Sequence, residues 1–100
     1  ISHMPTYITL YKWTEQGIKN VKASPERAAA AIKAAEAAGI KTLGLYLTQG
    51  EYDLVGINEA PDEQTAVASV LALGAQGFVR TTTMRAFTMA EFAEIIQKMP

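Results

Sequence analysis

A pair of alternating segments joined by a short turn is the feature that most constrains the fold of this chain. Residues 41–48 alternate leucines with small, aromatic or polar residues, Gln49-Gly50 supplies the turn, and residues 51–59 form the second segment. Alternation with a period of two is typical of strands that bury one face, and a glycine-containing turn between two such strands predicts a β-hairpin. The remaining elements must therefore be arranged around a central hairpin.

A strand and a helix are predicted on each side of the hairpin. Thr6–Trp13 is rich in β-branched and aromatic side chains and alternates, which favours a strand. Ser24 is expected to cap a helix that ends at Gly39, and Asp62 to cap a second helix. Residues 78–87, rich in threonine, predict the fourth strand.

A last helix is predicted at the C-terminal end. Thr88 and Glu91 have the spacing of a capping box, in which each side chain binds the backbone N–H of the other residue. Beyond them, apolar side chains recur at helical spacing at Phe92, Ile95, Ile96 and Met99. These residues predict an amphipathic helix.

The order of these elements is a split β-α-β unit repeated twice. It predicts a ferredoxin-like α+β fold (β-α-β-β-α-β) with an antiparallel sheet in the spatial order 4-1-3-2, helices on one face, and a C-terminal helix. Of the apolar residues, 17 are alanines, so the core of one chain is small. The second sheet face is expected to pack against a second copy, giving a homodimer or higher homo-oligomer built as a dimeric α+β barrel.

The length, charge and hydropathy of the chain limit the kinds of partner that it can bind. A chain of 100 residues has room for one domain, and 9 Lys and Arg against 10 Asp and Glu give no basic excess for nucleic-acid binding. No apolar run approaches the roughly 20 residues that cross a bilayer. We therefore predict a cytoplasmic protein with neither nucleic-acid nor membrane partners.

The absence of cysteine and the scarcity of histidine exclude several kinds of catalysis and metal binding. The sequence has no cysteine, and its one histidine is His3. We interpret residues 1–3 as a cloning remnant before a native start at Met4, which leaves one domain over residues 4–100. Thiolate catalysis, a histidine general base and zinc held by either side chain are then excluded, and we predict no metal and no cofactor.

The hairpin also carries a family signature. Its residues 50–53, Gly-Glu-Tyr-Asp, resemble the signature of the GYD family, and the resemblance extends from Tyr7 to about Met99. It implies a dimeric α+β barrel of bacterial or archaeal origin without an established biochemical role. The segment from Gly50 onwards is also similar to the ligand-binding half of Lrp/AsnC-type regulators, which implies binding of a small effector between subunits.

The predicted strand order brings the ends of the strands together at one end of the sheet. Six side chains are expected to form a ligand site there: Tyr11, Trp13, Tyr46, Tyr52, Asp53 and Arg80. Strand alternation places Tyr11, Trp13 and Tyr46 opposite the leucines of their strands, on the face expected to meet a partner or ligand. An aromatic cleft is typical of small-molecule sites, but Tyr and Trp are also enriched at protein interfaces, and both alternatives stay open.

Asp53 is the candidate with the widest range of roles. It shares a strand face with Val55 and Ile57, where an ionised carboxylate requires a partner. It is expected either to serve as a general base or ligand-binding group, or to accept backbone N–H groups of the Gly50 turn or pair with an arginine.

Three functions follow from these residues. The preferred one is a non-enzymatic homo-oligomer that binds a small molecule or a partner in the aromatic cleft. The alternative is an enzyme similar to cofactor-free monooxygenases or isomerases, with Asp53 as the proton acceptor and Tyr11 or Tyr52 as the oxyanion donor, although no catalytic residue is assigned. The third is a structural assembly protein.

Overall fold

The computed structural model describes residues 4–100, so the predicted cloning remnant lies outside the described residues. The elements follow the predicted order, with one short helix added after the first strand. They are β1 (Thr6–Trp13), α1 (Glu15–Lys19), a 3-10 turn (Val21–Ala23), α2 (Ser24–Ala37), β2 (Lys41–Leu47), β3 (Leu54–Glu59), α3 (Glu63–Ala75), β4 (Val79–Ala86) and α4 (Met89–Gln97).

The sheet has the predicted topology. Its four strands lie in the order β2-β3-β1-β4, and every neighbouring pair is antiparallel. The central strand β1 pairs with β4 along its whole length, from Thr6 opposite Ala86 to Trp13 opposite Val79. The ferredoxin-like α+β prediction is therefore confirmed.

Most of the predicted helix caps are present in the structure. The Asp62 carboxylate accepts the backbone N–H of Thr65 at 2.8 Å, and Thr88 and Glu91 form both bonds of the capping box. Gly39 follows α2 with φ of 86°, in the left-handed region that favours glycine. The cap predicted at Ser24 is wrong, because the preceding 3-10 turn already has helical backbone and Ser24 becomes the first residue of α2.

The hairpin turn is longer than predicted. Strand β3 begins at Leu54, and residues 48–53 form a loop instead of a turn at Gln49-Gly50. Within this loop the Thr48 hydroxyl donates to the Tyr52 carbonyl at 2.7 Å, and Gly50 has φ of 101°. The loop is thus closed by its own hydrogen bonds, which replace the first strand pairs of a two-residue hairpin.

Helices α2 and α3 cover one face of the sheet. The odd-numbered side chains of β1 point towards α2 and α3, and a cavity lies between this face of the sheet and the two helices. Few of the described residues are buried, and the apolar ones are Tyr7, Ile40, Ala60 and Ala66. One chain thus has a small core, as the alanine content indicates. None of the helices within residues 4–100 combines the length and hydropathy that crossing a bilayer requires.

The C-terminal helix α4 does not join the layer formed by α2 and α3. It makes few contacts with the other elements, and the described chain measures 50 × 31 × 19 Å. Its attachment to the sheet runs through Arg85, whose guanidinium lies 3.6 Å from the Glu91 carboxylate and 4.4 Å from the centre of the Phe87 ring. The helix therefore extends from the edge of the domain.

Candidate functional site

Asp53 fastens the hairpin loop to the end of β1. Its carboxylate Oδ2 accepts the backbone N–H of Trp13 at 2.9 Å, and its own N–H donates to the Tyr11 carbonyl at 2.8 Å. Its carbonyl accepts the Thr48 N–H at 2.9 Å. A structural role was one of the two predicted for Asp53, but the donor to its carboxylate is the Trp13 backbone, not the Gly50 turn or an arginine.

Tyr11 and Trp13 face the helices, so the expectation that they share the open face with Tyr46 is wrong. They line the cavity between the sheet and helices α2 and α3. Tyr46 projects from the other face and is 57% exposed, with its ring against Gly44, where a Cβ would lie 2.8 Å from a ring carbon. The six predicted side chains therefore share one end of the sheet but not one face.

A break in the alternation of β2 explains this outcome. The pairing of β2 with β3 shifts between Thr42 and Gly44, where one extra residue is inserted. As a result Leu45 pairs with Gly56 on the helix side, and its neighbour Tyr46 turns to the open side. Strict alternation from Thr42 would put Tyr46 on the helix side with Tyr11, so the extra residue separates the two rings. Tyr46 itself lies on the open face, as predicted.

Tyr52 and Arg80 also lie apart from the cavity. Tyr52 belongs to the hairpin loop, and the Lys12 ammonium lies 5.8 Å from the centre of its ring. Arg80 is exposed, and its Nη1 lies 3.8 Å from the position that a Cβ on Gly74 would occupy, so it reaches towards α3. Binding of a ligand by any of the six residues stays a prediction.

A cavity of about 110 Å³ lies between the sheet and the two covering helices. Its walls are largely apolar, with aromatic side chains from Tyr7, Tyr11, Trp13 and Phe78. Burial raises the pKa of the Tyr11 phenol above its ordinary value of 10.0, while a hydrogen bond with the Thr9 side chain opposes part of this rise. Tyr11 is therefore neutral at physiological pH. Asp53 does not line this cavity, so the geometry does not pair it with Tyr11 as acid and base.

Arg27 lines the cavity and was not predicted as a site residue. Its guanidinium lies 4.2 Å from the centre of the Phe78 ring, and its Nη1 donates to the Asn20 carbonyl at 3.1 Å. The sequence spacing could have indicated this role, since Arg27, Ala31 and Ala35 recur every four residues and therefore lie on one side of the helix. All three line the cavity. The stripe of α2 that faces the sheet thus begins with a cation.

The uncovered sheet face is apolar across its centre. Cross-strand pairing forms two adjacent rows, one of Gly44, Ile57, Ile8 and Met84, and one of Tyr46, Val55, Leu10 and Thr82. Neither row contains a charged residue. Charges stand at the ends of the strands, with Lys41 and Glu59 at one end and Lys12 and Arg80 at the other. We refer to this surface as the open face.

The C-terminal helix presents a second apolar surface. Phe92, Ile95, Ile96 and Met99 are 48%, 40%, 49% and 64% exposed. Met89 in the first turn is also exposed. A monomeric protein seldom exposes a contiguous apolar stripe of this kind, and such stripes are typical of interaction sites.

Comparison with known proteins assigns the chain to a family. The sequence profile of the GYD domain matches residues 7–96. The chain belongs to the GYD family. The "Glutamine synthetase and cystathionine beta-lyase binding protein" of Thermus thermophilus is 33% identical to this chain over an alignment of 89 residues, which covers 88% of this chain and 94% of that protein. No solved structure gives a significant match.

The GYD signature of this chain lies in the hairpin loop. Gly50 has the positive φ, Tyr52 provides the carbonyl that Thr48 binds, and Asp53 accepts the Trp13 N–H. All three residues therefore shape or fasten the loop. The resemblance of the same segment to Lrp/AsnC-type regulators stays a prediction.

Proposed function

We propose that this GYD-family chain is a non-catalytic binding protein, which associates with itself through the open face and binds a partner enzyme through α4. The observation that carries the proposal is the similarity, along nearly the whole chain, to a protein named for binding glutamine synthetase and cystathionine β-lyase. The partner proposed for this chain is one of those two enzymes from its own organism.

The composition of the open face supports its packing against a second copy of the chain. A two-fold dimer requires a surface that is complementary to itself, and stacked sheets pack about 10 Å apart through apolar side chains. Two open faces would bury only uncharged rows, and the charges at the strand ends would stay at the solvated rim. Self-association therefore leaves no unpaired charge in the interface.

The geometry of α4 supports its binding to a partner other than a second copy of the chain. The helix extends away from the sheet, and its stripe of Phe92, Ile95, Ile96 and Met99 is half exposed. An amphipathic helix with apolar anchors three and four residues apart is one of the recurring ways in which a protein enters a groove on a partner. We assign α4 to the partner enzyme.

The test is a direct binding measurement. The purified chain is immobilised, and glutamine synthetase and cystathionine β-lyase from the same organism are passed over it, with an unrelated enzyme as the reference. The proposal expects saturable binding of at least one of the two. Absence of binding to both enzymes contradicts it.

Two variants of α4 locate the binding surface. Ile96→Lys places a charge in the apolar stripe, whereas Gln97→Lys adds the same charge on the exposed opposite side. We expect the Ile96 variant to lose enzyme binding by about ten-fold or more and the Gln97 variant to retain it. If Ile96→Lys instead abolishes self-association, α4 belongs to the homo-oligomer and its assignment to the enzyme is wrong.

A further inference from the structure

Two buried hydrogen-bond donors lack a partner among residues 4–100. They are the indole N–H of Trp13 at Nε1 and the guanidinium nitrogen Nη2 of Arg27. Leaving such a donor buried and unpaired costs about 1–3 kcal/mol, and more when the group is charged. Both residues line the cavity between the sheet and α2. Because both residues border one cavity, an acceptor bound there is the candidate partner for their donors.

The charge of the residues that line the cavity indicates which kind of acceptor binds there. Arg27 is the one charged side chain in the lining, and neither an aspartate nor a glutamate among the described residues contributes to it. Its guanidinium is held in place by the Phe78 ring and by the Asn20 carbonyl. A fixed guanidinium in apolar surroundings binds carboxylates with strong, charge-assisted hydrogen bonds.

We propose that this cavity binds a small apolar monocarboxylate. The carboxylate accepts from Arg27 Nη2 and Trp13 Nε1, and the hydrocarbon body lies between the tyrosines of β1 and the alanines of α2. A cavity of about 110 Å³ is smaller than the roughly 150 Å³ cavity that holds benzene, so the hydrocarbon body is a short branched chain. The site goes beyond the proposed binding of a partner enzyme and does not depend on it.

The same wall argues against free amino acids. An α-ammonium group needs a carboxylate or several carbonyl oxygens, and burying it without them is costly. No aspartate or glutamate among the described residues lines the cavity, and the oxygen acceptors that do are uncharged, namely the Asn58 and Gln76 amides and several hydroxyl groups. The site therefore favours a carboxylate without an amine.

Fluorescence of Trp13 reports binding directly, because it is the one tryptophan of the chain. We titrate the protein at neutral pH with isobutyrate and isovalerate as ligands, and with isobutanol and valine as matched controls. The expected result is a saturable change for the two carboxylates and at least ten-fold weaker binding of both controls. Equal binding of isobutanol, or no response to either carboxylate, overturns the proposal and indicates that the cavity holds water only or takes apolar molecules without regard to charge.

Substitutions on α2 identify the cation. Arg27→Gln removes the charge from the cavity, and Lys33→Gln removes the same charge from the exposed side of the same helix. We expect Arg27→Gln to weaken isobutyrate binding by about ten-fold or more, and Lys33→Gln to leave it unchanged. If Arg27→Gln does not fold, Arg27→Lys keeps the charge but loses the planar fork, and weaker binding is again expected. Unchanged binding in a folded Arg27 variant contradicts the site.

Discussion

The carboxylate of Asp53 and the backbone N–H of Trp13 are joined by a hydrogen bond of 2.9 Å between two residues that are 40 positions apart in the sequence. Trp13 ends β1 and Asp53 ends the hairpin loop, so the bond ties the GYD signature to the central strand of the sheet. The Trp13 side chain meanwhile lines the cavity. One short contact thus connects the family signature with the proposed ligand site.

Replacement of Asp53 by alanine is predicted to lower the free energy of unfolding by about 1–3 kcal/mol, because the Trp13 N–H loses its acceptor in a half-buried position. Asp53→Asn retains an oxygen that accepts from the same N–H and is expected to lose less. Urea denaturation of the two variants measures the difference. Equal losses in both would show that this hydrogen bond does not explain the role of Asp53.

A Gly17→Ala substitution is predicted to destabilise the fold by about 1–3 kcal/mol, because the new Cβ would overlap the backbone carbonyl oxygen of Phe78. The matched control is Gly74→Ala in α3, where the nearest atom is the flexible end of Arg80 at 3.8 Å. There, alanine is expected to stabilise by about 0.5–1 kcal/mol through its higher helix propensity. Thermal unfolding compares the two variants, and a similar effect at both positions would contradict the close approach of Gly17 to the Phe78 carbonyl.

Tyr11 is predicted to make stability fall at alkaline pH. Its pKa is raised by burial in the folded chain, so above 10.0 the unfolded chain loses this proton while the folded chain still holds it. The stabilisation is complete below 10.0 and is lost as the pH rises through the folded pKa. Tyr11→Phe should show a smaller decline than the wild type over that range in urea unfolding. Parallel declines would mean that Tyr11 is not the group responsible.

Much of the fold was predictable because its signals are local. The two caps at Asp62 and Thr88 and the left-handed glycine at Gly39 depend on residues within one or two turns of each other. Alternation in Thr6–Trp13 gave the full extent of β1. With these elements in place, the right-handed crossover rule leaves few arrangements of the sheet.

The site was less predictable because it depends on non-local geometry. The irregularity between Thr42 and Gly44 reverses which side chains of β2 face the helices, and the alternating sequence continues through it without a break. The role of Arg27 depends on how α2 is rotated against the sheet and on where Phe78 lies. Neither relationship is encoded within a short segment of the chain.

The mass of the particle in solution tests most directly whether the open face is covered by a second copy. Sedimentation velocity of the chain is expected to give a dimer or a higher homo-oligomer, and Val55→Lys, in the centre of the open face, is expected to give a folded monomer. Ala30→Lys, which adds the same charge on the exposed side of α2, should sediment like the wild type. A monomeric wild type, or a Val55→Lys variant that remains as associated as Ala30→Lys, would contradict self-association through this face.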